Sequence, residues 1–219
     1  MIELGLLKSA SLSGAQSRAI AIESQSVPIG RLVPVGRWIL DDDETIQELA
    51  AWRQAALRMF LTQSTPTRQT SYDYLEKLCI GDQSRILFMI EDSTGSFVGH
   101  LGLANYSQDE AELDNVIRGR RGGPRELVLE AERALIRWAF SDLLVKRIYL
   151  RVLSHNFKAI NLYDQLGFCT IERLSLARKT EGGFATLRAC TADESNVAFK
   201  LNLMALEVEA FLAQDDRDH

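Results

Sequence analysis

The cleanest alternation of apolar and polar positions in the chain runs over Arg147–Val152. Ile148, Leu150 and Val152 fall on one side and Arg147, Tyr149 and Arg151 on the other, which predicts a strand with one buried face. The period then lengthens. Ala159, Tyr163 and Leu166, four and three residues apart, share one face of a helix. Ser154 and Asn156 are N-cap types at its start, and Gly167 supplies a left-handed C-cap on which Phe168 packs back. A tyrosine on that face can bury its ring and leave its hydroxyl at the mouth of a cleft.

Upstream, Arg31–Val35 reads as a first strand, with Pro34 suited to an edge or strand end. The acidic run 41–44 opens a helix whose apolar face is Ile46, Leu49, Ala50 and Trp52. That helix breaks near Gln63–Pro66, and a second one begins near Ser71 and ends near Gly81. Arg85–Glu91 and Phe97–Asn105 are strands joined by a turn around Gly95. Glu110–Arg118 is a further strand; strict alternation places Glu112, Asp114 and Val116 on one face and Leu113, Asn115 and Ile117 on the other. A helix with Leu127, Ala131, Leu135 and Trp138 on one side follows, and Pro124 suits its first position. After Phe168 the pattern predicts an extended segment over 169–177, a turn over 178–183, and 184–190 pairing back. A last strand is expected over 197–203, then strand or short helix over 204–211.

With 219 residues the chain suits one domain, taken as residues 31–211. Residues 1–30 form an arm, flexible or a loosely attached extra strand, and 212–219 a disordered acidic tail. The net charge of −5 weighs against a dedicated nucleic-acid binder. Cys79, Cys169 and Cys190 share no ligand spacing, and the three histidines stand apart from them. That fits reduced thiols in a cytoplasmic protein with no metal. No apolar run approaches the roughly 20 residues of a membrane span, so a membrane partner is not expected.

Two groups of residues carry candidate chemistry. Gly119, Gly122 and Gly123, with Arg118, Arg120, Arg121 and Arg125, make a basic turn that feeds a helix N-terminus. Free amides, the helix dipole and arginine all favour an anion there, a phosphate above all; a solvated basic loop has the same composition. Glu112 and Asp114 are carboxylates able to act as general base if their strand flanks a cleft, or simply solvent-facing ones. The dinucleotide fingerprint G-x-G-x-x-G is absent.

The string Ser154–Phe168, with asparagine, alanine, tyrosine and Gly-Phe in fixed register, resembles the GNAT family of acetyl-CoA-dependent N-acetyltransferases. The order strand, basic glycine turn, helix, strand, helix over 110–168 strengthens the resemblance. It implies an α/β (α+β) fold: a mixed, mostly antiparallel sheet of about seven strands flanked by helices, with a V-shaped cleft for acetyl-CoA. It also implies that Tyr163 protonates the departing thiolate and that Asn156, with Lys158, contacts the coenzyme A arm. Val116, Ile117 and Arg118 on the splayed strand, and Gly122, Gly123 and Arg125 in the loop, would hold the cofactor. A backbone N–H within Asn115–Ile117 would stabilise the oxyanion. The loop departs from the family's Gln/Arg-x-x-Gly-x-Gly/Ala pattern, since Arg125 occupies the final small position.

Trp52 and Arg53 resemble a segment of the ribosomal-protein and nucleotide-amino-sugar branches, where the indole would stack on a base or sugar and the guanidinium pair a phosphate. A core tryptophan beside a surface arginine fits the same two positions. The acceptor the resemblance favours is a small amine such as a nucleotide-linked amino sugar. A protein N-terminus, or a module that binds acetyl-CoA without catalysis, are the alternatives, and a homodimer is left open.

Overall fold

The computed structural model describes residues 4–218. Helices α1 (Leu4–Lys8) and α2 (Leu12–Gln16) lead into a hairpin of β1 (Ile20–Ser24) and β2 (Val27–Pro34). Next come α3 (Asp43–Ala55), the short strand β3 (Thr62–Gln63) and α4 (Arg68–Tyr74), which runs on as a π-helical turn over Leu75–Ile80. Strands β4 (Ile86–Asp92), β5 (Phe97–Ala104) and β6 (Glu110–Arg118) precede α5 (Leu127–Ser141), β7 (Arg147–Leu153) and α6 (Phe157–Gln165). The hairpin β8 (Cys169–Glu181) and β9 (Phe184–Cys190), β10 (Leu201–Glu207) and α7 (Val208–Asp218) complete the order.

The strands form one ten-stranded sheet, β1-β2-β4-β5-β6-β7-β10-β8-β9-β3. Seven strands are too few because β1, β3 and the long β8–β9 ribbon extend it at both ends. Among the described pairings only β6 and β7 run parallel. Strand β4 explains the dense apolar run in the sequence: Ile86, Phe88 and Ile90 face one core, under α5, while Leu87 and Met89 face a second, under α3. A strand covered on both faces has no polar side to show.

Two features of β6 shape the cleft. Its parallel pairing with β7 covers only Glu110↔Arg147, Ala111↔Ile148 and Glu112↔Tyr149, so beyond Glu112 the two strands part. On its other side, Gly102 pairs with Asp114 and His100 with Ile117, so Asn115 and Val116 together oppose Leu101. This bulge puts Asn115 at φ +56° and reverses the side-chain alternation after it. Leu113 and Ile117, expected on one face, therefore sit in opposite cores.

Other segments depart from expectation for physical reasons. Pro124 lies outside α5; it accepts a 3.2 Å hydrogen bond from the Leu127 amide in a turn that precedes the helix, and Glu126 is the N-cap residue. Residues 20–34 form the β1–β2 hairpin, and Leu4 and Leu7 of α1 are buried in the larger core. The last strand spans 201–207, and α7 continues through the segment expected as a disordered tail. Arg137 of α5 ties that helix down with a bidentate pair to Asp215 at 2.7–3.0 Å.

Candidate active site

The parting of β6 from β7 opens a cavity of about 980 Å³. The β6 bulge and Val152–Leu153 of β7 line it, as do α5 through Val128 and Glu132, and α6 through Asn156, Lys158, Ala159, Leu162 and Tyr163. Arg53 of α3 and Phe60, Tyr74 and Leu75 from the segment after it close the far side. A crevice at the C-terminal ends of diverging parallel strands is where α/β sheets take ligands.

Local sequence sets each of these positions. Asn156 is the N-cap of α6, its side chain accepting from the Ala159 amide at 3.4 Å. Gly167, at φ +89°, ends the helix, and the Phe168 amide returns to the Tyr163 carbonyl at 3.0 Å. The Tyr163 ring packs edge-on against Phe168, 5.9 Å between centroids. Its hydroxyl pKa is held well above 10, first by burial and then by its electrostatic interaction with the carboxyl groups of Glu132 and Asp114. At neutral pH this tyrosine keeps its proton.

Both carboxylates named as candidate bases line the cavity, and both are engaged. Glu112 takes a bidentate pair from Arg151 (Nε–Oε1 2.7 Å, Nη2–Oε2 3.1 Å) and a 2.6 Å hydrogen bond from Asn105. Asp114 is paired with Arg85 at 2.6 Å and accepts from the Asn115 side chain at 2.8 Å. That amide also donates to the Tyr74 hydroxyl at 2.6 Å, while Arg53 donates to the Asn115 Oδ1 at 3.4 Å. Arg53, Asn115, Asp114, Arg85 and Tyr74 are thus one network across the cleft floor. Arg53 sits over the Phe60 ring, its Cζ 3.2 Å from the centroid, and makes no ion pair among the described residues.

The basic loop adjoins the cleft through Arg118, which lines the cavity at the end of β6. Arg118 folds back on the loop, donating to the carbonyls of Gly122 (3.0 Å), Pro124 (3.4 Å) and Arg125 (3.1 Å). A Cβ on Gly122 would lie 2.5 Å from Val98 Cγ1, and Gly123 has φ +62°, so both positions require glycine. Among the described residues the amides of Arg121, Gly122 and Gly123 donate to no protein acceptor.

The sequence profile of the acetyltransferase (GNAT) domain matches residues 37–169, more than half of the chain and most of the residues that line the cleft. The chain belongs to the GNAT family. A spermidine N(1)-acetyltransferase of Vibrio cholerae is 33% identical over 103 residues, 45% of this chain; the match spans 59% of that relative's length. The crystal structure of a V. cholerae spermidine N-acetyltransferase with CoA and spermine superposes with a TM-score of 0.63 at 18% identity, covering 83% of this chain and 96% of that one. A nucleotide-linked sugar GNAT gives 0.61 at 12% identity, covering 86% and 92%. At these identities the structural likeness is one of fold.

Within this GNAT fold, nine residues singled out from sequence line a single cavity: Arg53, Glu112, Asp114, Val116, Ile117, Arg118, Asn156, Lys158 and Tyr163. Gly122, Gly123 and Arg125 lie in the adjoining loop. Trp52 does not reach the cavity. It is 6% exposed in the second core, stacked on His100 at 6.2 Å, where a Cβ on Gly119 would collide with its indole. The periodicity that put Trp52 on the apolar face of its helix is what buries it. Several cleft residues escaped sequence reasoning. Arg85, Tyr74 and Arg151 arrive from distant elements and carry no local signature. His100 and Glu132 do carry one, since each is ionisable in an apolar stretch.

Proposed function

We propose that this GNAT chain is an acetyl-CoA-dependent N-acetyltransferase whose acceptor is a small amine carrying negative charge, a nucleotide-linked amino sugar being the chemistry that fits best. The observation that carries this reading is the charge of the cleft. Each carboxylate of its floor is neutralised by an arginine, while Arg53 is left with no ion pair among the described residues, fixed over Phe60 and with its pKa lowered by burial. An arginine held in place beside an arene is ready for a phosphate. A polyamine would meet the uncompensated charge of Arg53, with Asp114 and Glu112 already paired to Arg85 and Arg151.

Acetyl-CoA fits the remaining half of the cleft. The amides of Arg121, Gly122 and Gly123 and the N-terminus of α5 suit its pyrophosphate. Lys158 stands in the first turn of α6, where the helix dipole disfavours a cation, and makes no ion pair among the described residues; an anionic ligand would compensate it. The coenzyme supplies an activated acetyl group as a thioester. The chain supplies the rest: Asn156 orients the arm, the bulge amides of Asn115–Ile117 favour the developing oxyanion, and Tyr163 holds the proton that a leaving thiolate needs. With Glu112 and Asp114 tied to arginine, the acceptor's proton leaves through solvent in the open cleft or through Asp114, the less buried of the two.

The test is mass spectrometry of products from acetyl-CoA with UDP- and dTDP-linked amino sugars, spermidine and N-terminal peptides, using the wild type and Arg53→Ala. We expect acetylated nucleotide sugar, with KM for that acceptor raised about tenfold in the variant. Acetylated spermidine, with Arg53→Ala neutral or improved, would move the acceptor to the polyamine class. Acetylated peptide would give the N-terminal reading, and binding without turnover on every acceptor would leave a sensing module.

A further inference from the structure

Glu132 is the cleft residue that no role above explains. It is 0% exposed, and neither carboxyl oxygen has a hydrogen-bond partner in the protein. It stands on α5 four residues after Val128, on the stripe completed by Leu135 and Ile136, where leucine would pack without electrostatic cost. Yet it lines the same cavity as Tyr163 and lies near enough to act electrostatically on the phenol. Burial pushes its pKa up to about 8, so at neutral pH it is a carboxylic acid holding a proton.

We propose that Glu132 is the proton reservoir behind Tyr163, resupplying the phenol once it has acted as the acid. This inference rests on the reading of Tyr163 as general acid. As the acetyl–sulfur bond breaks and the acetyl–nitrogen bond forms, Tyr163 gives its phenol proton to the sulfur. Glu132 gives its carboxyl proton to the phenolate through water in the cavity that the two residues both line, and the carboxylate is refilled along the same water by the proton the acceptor amine released. No net charge is made or lost.

The order of acidities explains why a reservoir is useful. A phenol held well above 10 is a reluctant donor to a thiolate, whose own conjugate acid is near about 8.5 in an ordinary thiol. Proton flow from a carboxyl near 8 to the phenolate runs downhill and draws the first transfer forward. The titratable groups that face this path are Tyr163 from α6 and Asp114 from β6, the latter paired with Arg85. The cations Arg118, Arg151 and Lys158 line the same cavity, but burial is the one cause of the Glu132 shift. Glu132 does not touch the reacting atoms, so its role is that of a positioning and resupplying residue.

The test uses Glu132→Gln, which keeps the shape, Glu132→Leu, which keeps the packing, and Tyr163→Phe alone and combined with each. In the protein without ligand, difference infrared spectroscopy should show the carbonyl band of a neutral carboxylic acid at pH 7. That band should vanish as pH rises through about 8 and be missing from both Glu132 variants. In turnover, wild-type kcat should fall through the same pH range. Both variants should lose roughly tenfold in kcat and lose that pH limb, with KM for acetyl-CoA within about twofold. Added to Tyr163→Phe, either should cost nothing further. A missing infrared band, or wild-type kcat and pH profile in both Glu132 variants, overturns the reservoir. If Tyr163→Phe itself turns over at the wild-type rate, it is the acid assignment that fails, and the infrared result separates the two.

Discussion

His100 and Glu132 are each buried without an ion pair, and they bend the pH dependence of stability in opposite directions. Burial lowers the His100 pKa from 6.5 to about 4, so the folded state holds the ring neutral. Below pH 6.5 the unfolded chain binds a proton that the folded one refuses, and stability is lost as pH falls from 6.5 towards 4. For Glu132 the folded state keeps a proton that the unfolded chain releases above 4.5, so stability is lost as pH rises from 4.5 towards 8. Each group contributes a slope of up to about 1.4 kcal/mol per pH unit within its window. We therefore predict that His100→Gln, measured by urea unfolding, loses stability at pH 7 but closes on the wild type as pH drops to 5. Parallel curves over that range would show that His100 does not titrate with folding. The two residues also show how much chemistry one position reveals in sequence. Tyr163 and Asn156 were legible because helix period and cap chemistry fix where they point. Glu132 was legible in principle, as a charge on an apolar stripe between Val128 and Leu135, but nothing in its own segment says that Tyr163 lies opposite.

Elements were legible where one local force dominates and obscure where backbone conformation overrides pattern. The strand β6 was placed at its ends, Glu110 and Arg118, yet the faces beyond Asp114 were reversed by the bulge at Asn115, a residue type that accepts positive φ without announcing it. The β1–β2 hairpin was obscure because its turn places Gln25 and Ser26 at φ +50° and +63°, where the usual signal is Asn-Gly. The glycine loop is the opposite case: glycine content and position placed the turn between β6 and α5, and its reading as an anion cradle stands as a proposal. Gly122→Ala tests that element. The added Cβ would meet Val98 Cγ1 at 2.5 Å and Asp92 Oδ2 at 2.8 Å, and Val98 is held in β5, so the loop must move. The expected outcome is coenzyme A affinity weakened roughly tenfold by calorimetry and stability lowered by about 1–3 kcal/mol. Gly5→Ala, in α1 and with a Cβ that meets nothing nearer than 4.0 Å, is the control that should leave the affinity unchanged and the stability equal or slightly raised. Equal affinity in Gly122→Ala would remove the loop from the cofactor site.

At the scale of the molecule the fold class followed from the family resemblance carried by Ser154–Phe168 and the order of elements before it, whereas the proposed acceptor rests on charges that only the folded sheet assembles. The chain carries −5 overall, but Arg53 from α3, Arg85 beside β4 and Arg151 from β7 converge on one cleft, where Asp114 and Glu112 offset the last two and Arg53 is left over. These arginines are separated by up to about a hundred positions in sequence, so no composition or motif could register the cationic pocket. Its consequence is measurable as a sign. Ionic strength screens attraction and repulsion alike, so the direction in which KM moves with salt reports the acceptor's charge. For a nucleotide-linked amine, KM should rise roughly 3- to 10-fold between about 0.05 and 0.3 M salt while kcat holds, because screening weakens a favourable encounter. For a polyamine the same cleft repels, and KM should fall over that range. Amino sugar stripped of its nucleotide should bind weakly with little salt dependence. Steady-state kinetics on these three acceptors, at fixed pH and saturating acetyl-CoA, separates the classes. A falling KM for the best acceptor would mean that Arg53 does not face the acceptor and would return the acceptor to the polyamine class.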